Sequence, residues 1–379
     1  ALLFRIEFFF YLLYVFFGIY FSSRFWGQHA LDKITFEREC DSRAFIGDHI
    51  PVKIHIQNRG FLPLPWLRVH DSLPIGIKSP NFFHSVISLL PFEEKILEYE
   101  LNCRHRGYYP LGPLVVRAGD IFGLRDSERR FEAPDAVWVY PKIVHLNSLQ
   151  LKAKVPFGYV RTKERVFEDP SRLVGVRDYQ SGDSTRHIHW KATAATGTLQ
   201  VKRFEPAISI ESQIFLNLNR DEYTQERTRP ASETAIVTAA SIANYLVEKR
   251  QAVGLSCNGQ DPLTEEALKI TIPPRKGEAH LMQILDVLAR AELSEHLSFT
   301  DLLHQERLQL TWGSTAIVIS SHADDALFDN MLLMKRSGFH VMLILLDTQT
   351  PFAIIKQRAK DVCIEAHQVW QERDLDVWR

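Results

Sequence analysis

The sequence has little that marks a nucleic-acid-binding protein or a nucleotide hydrolase. Its 45 basic and 46 acidic residues give a net charge of -1, so no overall field recruits nucleic acid or an anionic membrane surface. The glycine-rich phosphate-binding patterns GxxxxGK[ST] and GxGxxG do not occur. Both absences argue against a function that acts on nucleic acid or a nucleotide.

Cysteine is also scarce, and its spacing excludes two common uses. Cys40, Cys103, Cys257 and Cys363 lie far apart without a CxxC pair, which supplies neither a zinc signature nor a disulfide framework. We expect reduced, structural thiols. Internal repeats and low-complexity segments are absent, and the length of 379 residues with ordinary globular composition predicts two domains.

One long hydrophobic run is present at the start of the sequence. Phe8 to Phe21 carries no charge, and the apolar segment is long enough to cross a membrane if Arg5 and Glu7 lie near one interface. We predict a retained transmembrane helix over residues 1–27. A cleaved signal peptide is the alternative, although no small-residue cleavage site follows the run.

The charges that flank this helix predict which side of the membrane the body occupies. Arg24, Lys33, Arg38 and Arg43 follow the helix, and Arg5 precedes it. Because positive flanks favour the cytoplasmic side, we expect the soluble body in the cytoplasm. A second hydrophobic segment upstream of the sequence stays open.

Short alternating runs separated by turn residues fill residues 28–145. Apolar and polar residues alternate clearly in Pro51–Asn58. Similar runs lie at Trp66–Asp71, Lys95–Cys103, Gly112–Ala118 and Ala136–Tyr140. This pattern predicts an antiparallel β-sandwich of the immunoglobulin-like type, with a barrel as the alternative.

The pattern changes after a polar, basic linker at residues 146–170. From residue 171 to 379, buried strands alternate with amphipathic helices. The predicted strands are Ile208–Leu218, Ala252–Cys257, Thr315–Ser320 and His340–Leu346, and the predicted helices are Ser232–Arg250, Ala279–Ala291 and Asp325–Ser337. The chain is thus predicted to be multidomain, ending in a largely parallel, doubly wound α/β domain.

The most unusual local sequence, Arg177 to Lys191, mixes carboxylates, cations, histidines and aromatic residues. His187 and His189 are candidate metal ligands on one side of a strand, and Asp183 with either histidine is a candidate base and orienter. A surface that recognises a partner or an anion is another interpretation. The residues predicted to organise this loop or bind a partner are Arg177, Tyr179, Gly182, Asp183, Arg186, His187, His189, Trp190 and Lys191.

A structural interpretation of the same loop is also open. In it, Trp190 packs and the imidazoles bond to backbone carbonyls, which locks the loop against the sheet. The accompanying ion pairs join Asp178 and Asp183 to Arg177, Arg186 and Lys191.

The segment Arg177–Pro206 resembles the defining motif of a bacterial family, domain of unknown function 58 (DUF58). The motif has a Tyr, then Gly-Asp, then Arg and Ile-His-Trp, then a basic-aromatic-acidic exit. Cys103–Pro113 and Gly119–Leu124 resemble the family segments "RG-Y-LGP" and "D-P-FGL", with Ile121 at the usual Pro. Val139–Pro141 resembles "VYP".

This resemblance implies a protein of the bacterial inner membrane with a sandwich and a von Willebrand factor A-like domain. It implies a non-enzymatic scaffold or interaction protein without a cofactor. The implied partner is a MoxR-type AAA+ ATPase, in envelope-related or complex-maturation processes. A metal-assisted hydrolase built on His187 and His189 is the alternative function.

A von Willebrand factor A-like domain raises the question of a metal-ion-dependent adhesion site. Such a site needs Asp-x-Ser-x-Ser, whereas the corresponding residues run from Asn217 to Asp221 as Asn-Leu-Asn-Arg-Asp. Asn217, Asn219 and Asp221 still offer oxygens, but Arg220 places a cation beside them. We expect a degenerate site that holds no metal; a divalent-ion-dependent adhesion module stays the alternative.

Overall fold

The structure is a computed structural model that describes residues 2–77, 82–120, 126–132, 135–146, 168–180, 183–206, 211–224, 227–264, 269–346 and 351–376. It begins with helix α1, Leu2–His29. Within α1, the 19 residues Phe8–Trp26 are long and apolar enough to cross a membrane, and only 6% of that stretch is buried. The predicted apolar helix is confirmed. Most of the linker predicted at 146–170 lies outside the described residues.

A β-rich body follows α1. Its strands are β1 (Ile34–Cys40), β2 (Arg43–Phe45), β3 (His49–Asn58), β4 (Leu64–Ser72), β5 (Phe82–Leu89), β6 (Glu94–Asn102), β7 (Gly107–Pro110), β8 (Leu114–Gly119), β9 (Asp126–Phe131) and β10 (Ala136–Tyr140). They form antiparallel sheets of order β1-β3-β6 and β5-β4-β8-β9, and a small mixed sheet of order β2-β10-β7. Alternate residues of β3 are buried in a core shared with β4, β6 and β8, which confirms the predicted β-rich body.

Strand β10 joins this body to the rest of the protein. Its successive side chains point to opposite faces, because side chains alternate along a strand. Val137 and Val139 belong to the core of the β-rich body, whereas Trp138 and Tyr140 pack into the core of the C-terminal body. One short strand therefore serves two hydrophobic cores.

The next elements form a small unit of their own. β11 (Glu168–Asp178) and β12 (Gln200–Pro206) pair antiparallel as a separate two-stranded sheet, and helix α2 (Trp190–Thr196) lies between them in sequence. We call residues 168–206 the motif arm, because they contain the DUF58-like sequence. This sequence was predicted to be locked against the main sheet. Its two strands instead pair with each other in a separate sheet.

The C-terminal body is an α/β unit. Its elements are β13 (Glu211–Leu216), α3 (Thr228–Glu248), β14 (Ala252–Cys257), β15 (Ile270–Arg275), α4 (Glu278–Arg290), α5 (Phe299–Arg307), β16 (Thr315–Ser320), α6 (Asp325–Arg336), β17 (His340–Leu346), α7 (Phe352–Asp361) and β18 (Glu365–Val369). The sheet order is β15-β14-β13-β16-β17-β18, and only the edge pair β14–β15 is antiparallel.

Helices cover both faces of this sheet. Ile214 and Leu216 of β13 share a core with α3 and α4, while Phe215 faces a second core with α5, α6 and α7. Strands buried on both faces explain why the sequence shows continuous apolar runs here rather than alternation. The strand order reverses between β13 and β16, which is where α/β sheets open a crevice at the carboxyl ends of their strands.

Candidate functional site

The motif arm is fixed by an ion pair at the point where β11 ends. The guanidinium of Arg177 donates from Nη1 to Asp183 Oδ2 at 2.7 Å and from Nη2 to Oδ1 at 2.8 Å. The backbone N–H of Gln180 donates to Asp183 Oδ2 at 2.9 Å. The predicted pairing of Asp183 with Arg177 is therefore present. Its two parallel hydrogen bonds hold Asp183 against the end of β11.

His189 caps helix α2, which follows this ion pair in sequence. Its Nδ1 accepts a hydrogen bond from the backbone N–H of Ala192 at 3.0 Å and so caps α2. The backbone N–H of His189 donates to the backbone carbonyl of Gln200 at 2.7 Å, which ties the start of the helix to β12. The prediction that this imidazole bonds to a backbone carbonyl is wrong, because the side chain accepts from an N–H instead. Its Nδ1 lone pair is thus engaged and does not face a metal ion.

Asp178 forms no ion pair with a cation among the residues that the structure describes. Its Oδ1 accepts from Gln200 Nε2 at 2.5 Å, and Arg177 bonds its backbone carbonyl. Arg186 and Lys191 are exposed and have no ion pair among the residues that the structure describes. The predicted network of two carboxylates and three cations thus reduces to one pair, and the two remaining cations face solvent.

Trp190 also differs from expectation, since 68% of it is exposed on the first turn of α2. The prediction that it packs is wrong. Tyr179 and His187 are half-buried. Gly182 lies outside the described residues. The arm therefore presents a large aromatic side chain and two cations on a frame held by hydrogen bonds.

The ion pair of the arm gives a prediction for low pH. The hydrogen bonds from Arg177, and then the one from the N–H of Gln180, lower the pKa of Asp183. A carboxyl group whose pKa is lowered by folding contributes its full stabilisation of the folded state above its unfolded pKa of about 3.9. This stabilisation is lost as the pH falls through the pKa that the group has in the folded protein. We expect the NMR amide signal of Gln180 to stay constant between pH 5 and 8 and to shift below about pH 4.

The variant Asp183→Asn is the control, because an amide does not titrate. Its Gln180 signal is expected to show no such transition. A transition of equal size in the variant would assign the shift to another group and contradict the role given to this pair.

A second region of interest is the carboxyl edge of the six-stranded sheet. Here a cavity of about 480 Å³ opens between β13 and β16. Its polar lining includes Asp221, Glu222, Ser298, Thr300, Ser321 and Asp324. Asp324 caps α6 by accepting the N–H of Leu327 at 2.8 Å.

Asn217 is buried beneath this cavity, and its side chain is fully engaged. Its Oδ1 accepts from the backbone N–H of Asn219 at 3.0 Å and from Asn258 Nδ2 at 3.2 Å. Its Nδ2 donates to Glu222 Oε2 at 2.6 Å and to Ser320 Oγ at 3.0 Å. An asparagine satisfies all of these neighbours, whereas an aspartate would meet the Glu222 carboxylate with a like charge.

The neighbouring asparagines are engaged in the same way. Asn219 Oδ1 accepts the N–H of Asp221 at 3.0 Å, and Asn258 Oδ1 accepts the N–H of Leu218 at 2.6 Å. Asn217 Oδ1 accepts two hydrogen bonds and has no lone pair left, contrary to the expectation that it still offers an oxygen, whereas Asn219 Oδ1 accepts one. Among the described residues, no three His, Cys, Asp or Glu side chains come together as a metal-binding group. Because Asn217 has no lone pair left, the Asn-Leu-Asn-Arg-Asp segment lacks the leading oxygen ligand of a metal-ion-dependent adhesion site.

Asn258, Glu222 and Ser320 also belong to this network, which the sequence alone did not indicate. They come from three different segments, and only the sheet order brings them together. The one signal in the sequence was the end of each buried strand, since the carboxyl ends of parallel strands meet at one edge of the sheet.

Comparisons with known proteins agree with the sequence motifs. A family model described as "Protein of unknown function DUF58" matches residues 175–330, which include part of the motif arm and the carboxyl edge. The chain is 26% identical over 287 residues to "Uncharacterized protein YeaD" of Bacillus subtilis (strain 168), a match that covers 74% of this chain and 68% of that protein.

Solved structures resemble parts of the chain at low identity. A von Willebrand factor type A protein from Catenulispora acidiphila matches 46% of this chain and 41% of its own, with 8% identity and a TM-score of 0.32. The CARDB domain of the PF1109 protein from Pyrococcus furiosus matches 28% of this chain and 91% of its own, with 17% identity and a TM-score of 0.20. Neither likeness is close enough to carry an argument about ligands. Residues 175–330 thus match the DUF58 family model, and the chain is similar to the curated relative over most of its length.

Proposed function

We propose that this protein is a membrane-anchored, non-enzymatic interaction protein that binds a protein partner through its motif arm. In this proposal, helix α1 anchors the protein in the bacterial inner membrane with the body in the cytoplasm; its length and apolar composition, and the positive charges that follow it, support this orientation. The β-rich body is an immunoglobulin-like sandwich, and the C-terminal body is a doubly wound von Willebrand factor A-like module. Support for these assignments comes from the two antiparallel sheets around one core and from the strand order with helices on both faces.

The observation that carries the proposal is the exposure of Trp190 on a segment that hydrogen bonds within the arm already order. Tryptophan and arginine are the residues that most often dominate the binding energy of protein interfaces. Trp190 is 68% exposed, and Arg186 is exposed nearby in sequence. The Arg177–Asp183 pair and the His189 cap order the segment beforehand, which lowers the entropy lost on binding.

The candidate partner is a MoxR-type AAA+ ATPase. It follows from the family resemblance, and the chain itself contains no nucleotide-binding loop that would make it the ATPase. The carboxyl edge supports contact between proteins rather than through a metal ion, because its asparagine oxygens are already engaged. An envelope-related or complex-maturation process is the setting that the resemblance implies.

Affinity capture of the full chain from detergent-solubilised membranes, read by mass spectrometry, tests this proposal. We expect Trp190→Ala to lower recovery of a MoxR-type ATPase at least about tenfold, as for a tryptophan at the centre of an interface. The matched control is Trp370→Ala, which removes another half-exposed tryptophan far from the arm in sequence. Equal loss in both variants, or no loss in either, would contradict the proposed role of the arm.

A further inference from the structure

Helix α1 enters the β-rich body without a flexible linker. Ala30 and Leu31, which follow the helix directly, are 4% and 5% exposed and belong to the core of that body. Arg129 Nη1 donates to the carbonyl of Leu31 at 2.8 Å and to that of Asp32 at 3.1 Å. Trp26, in the last turns of the helix, packs against the same core. The end of the apolar helix and the body therefore move as one piece.

Two loops of the body lie beside this helix end. One joins β3 to β4 and carries Phe61, and the other joins β5 to β6 and carries Leu90 and Phe92. A cleft of about 230 Å³ is lined by both loops together with Phe25 and His29 of α1. Phe61, Leu90 and Phe92 are 68%, 63% and 70% exposed. Three large apolar side chains thus face solvent at the level where the apolar helix ends.

These loops are held in place rather than loose. Asn58 is 1% exposed, and its amide donates to the carbonyls of Leu62 at 2.8 Å and Leu90 at 3.1 Å. Its Oδ1 accepts the N–H of Gly60 at 2.9 Å. Phe92 has a φ of 61°, a left-handed conformation that is unusual for a bulky residue. The fold therefore fixes two aromatic side chains outward, one of them in a strained backbone conformation.

The charges around these loops suit the headgroup layer of a membrane. Arg24, Lys33 and Arg59 are exposed at this end of the body, and Asp32 is an exposed carboxylate among them. Aromatic side chains with nearby cations are typical of residues at the membrane–water interface. An apolar patch that is rigidly continuous with a membrane-spanning helix meets the lipid as soon as the helix is inserted.

We infer that this face of the β-rich body rests on the lipid bilayer, with Phe61, Leu90 and Phe92 inserted into its interfacial layer. The inference rests on the proposed membrane anchor and adds a second attachment, which fixes the orientation of the body relative to the membrane.

Photocrosslinking of the full chain in vesicles of phosphatidylethanolamine and phosphatidylglycerol tests this inference. p-Benzoylphenylalanine replaces Phe61 or Phe92 in two variants, and Ile75 in a control. Ile75 is 76% exposed and follows the opposite end of β4, about 25 Å from the helix-proximal loops at the rise of a strand. We expect the yield of lipid-crosslinked protein to be at least tenfold higher at positions 61 and 92 than at position 75.

Equal yields at the three positions, in protein that resists extraction by alkaline carbonate, would overturn the inference and leave the membrane anchor intact. Release of the chain by carbonate would overturn both the anchor and the inference. The variant Phe92→Asn separates lipid contact from folding, because asparagine accepts a left-handed φ. With Asn at 92, the crosslink at 61 is expected to weaken while the unfolding temperature stays the same or rises; an unchanged crosslink at 61 would contradict joint insertion of the two loops.

Discussion

Replacing Asp71 with alanine is expected to lower the free energy of unfolding of the β-rich body by about 3 to 5 kcal/mol. The side chains of Asp71 and Arg38 are both fully buried and are joined at 2.7 Å. Tyr99 donates its hydroxyl to the other Asp71 oxygen at 2.7 Å. Alanine would leave a buried guanidinium without its main counter-ion and would remove the carboxylate that accepts from Tyr99. Asp135, which still pairs with Arg38, is partly exposed.

The matched control for this prediction is Glu98→Ala in the same body. Glu98 lies 3.9 Å from Lys53, and both side chains are about half exposed or more. Such a surface pair contributes about 0 to 1 kcal/mol. Urea unfolding of the full chain, followed by hydrogen exchange of the β1, β4 and β6 amides, measures both variants. Similar losses in the two variants would show that the buried network does not stabilise the β-rich body in the way described.

Replacing Arg106 with alanine is expected to lower the free energy that couples the β-rich and α/β bodies by about 3 kcal/mol, the order of one or two hydrogen bonds to a charged group. Its Nη1 donates to the carbonyls of Leu288, Ala289 and Ala291 at 3.0, 3.1 and 2.8 Å, at the end of α4. Its Nε and Nη2 bind the Glu233 carboxylate at 2.9 and 3.0 Å.

One guanidinium thus satisfies carbonyls that the helix leaves without partners and also holds a carboxylate of α3. The measurement is hydrogen exchange across α4 and β10, which we expect to become faster together. Arg106→Lys is the comparison, because one ammonium group does not reproduce the planar fork and is expected to recover only a minor part of the coupling. Exchange that is unchanged in Arg106→Ala would refute the coupling role.

The sequence predicted the regular elements of the α/β body well, for a physical reason. Strands Ala252–Cys257, Thr315–Ser320 and His340–Leu346 have the predicted bounds because each is a short apolar run between turn residues. The strand predicted at Ile208–Leu218 is observed over Glu211–Leu216, and the helix predicted at Ser232–Arg250 is observed over Thr228–Glu248. Strand and helix ends depend on local capping, which periodicity does not encode.

Contacts between distant segments were the part that the sequence did not reveal. The hairpin of the motif arm depends on β11 and β12 pairing across α2, and polar strands with Gly175 carry no clear periodicity. The exposure of Trp190 depends on what the surrounding fold leaves uncovered, so its aromatic character alone suggested packing. The fold also places the guanidinium of Arg106 on carbonyls at the end of α4, more than 180 residues away in sequence.

The central claim is that the folded motif arm is the partner-binding surface, and a charge exchange tests it most directly. Arg177→Asp and Asp183→Arg each place like charges together and are expected to reduce capture of the partner from membranes at least about tenfold, because the arm loses its fixed conformation. The double variant Arg177→Asp/Asp183→Arg restores an opposite pair and is expected to recover most of the capture. Full capture by both single variants, or none by a stably folded double variant, would contradict the account.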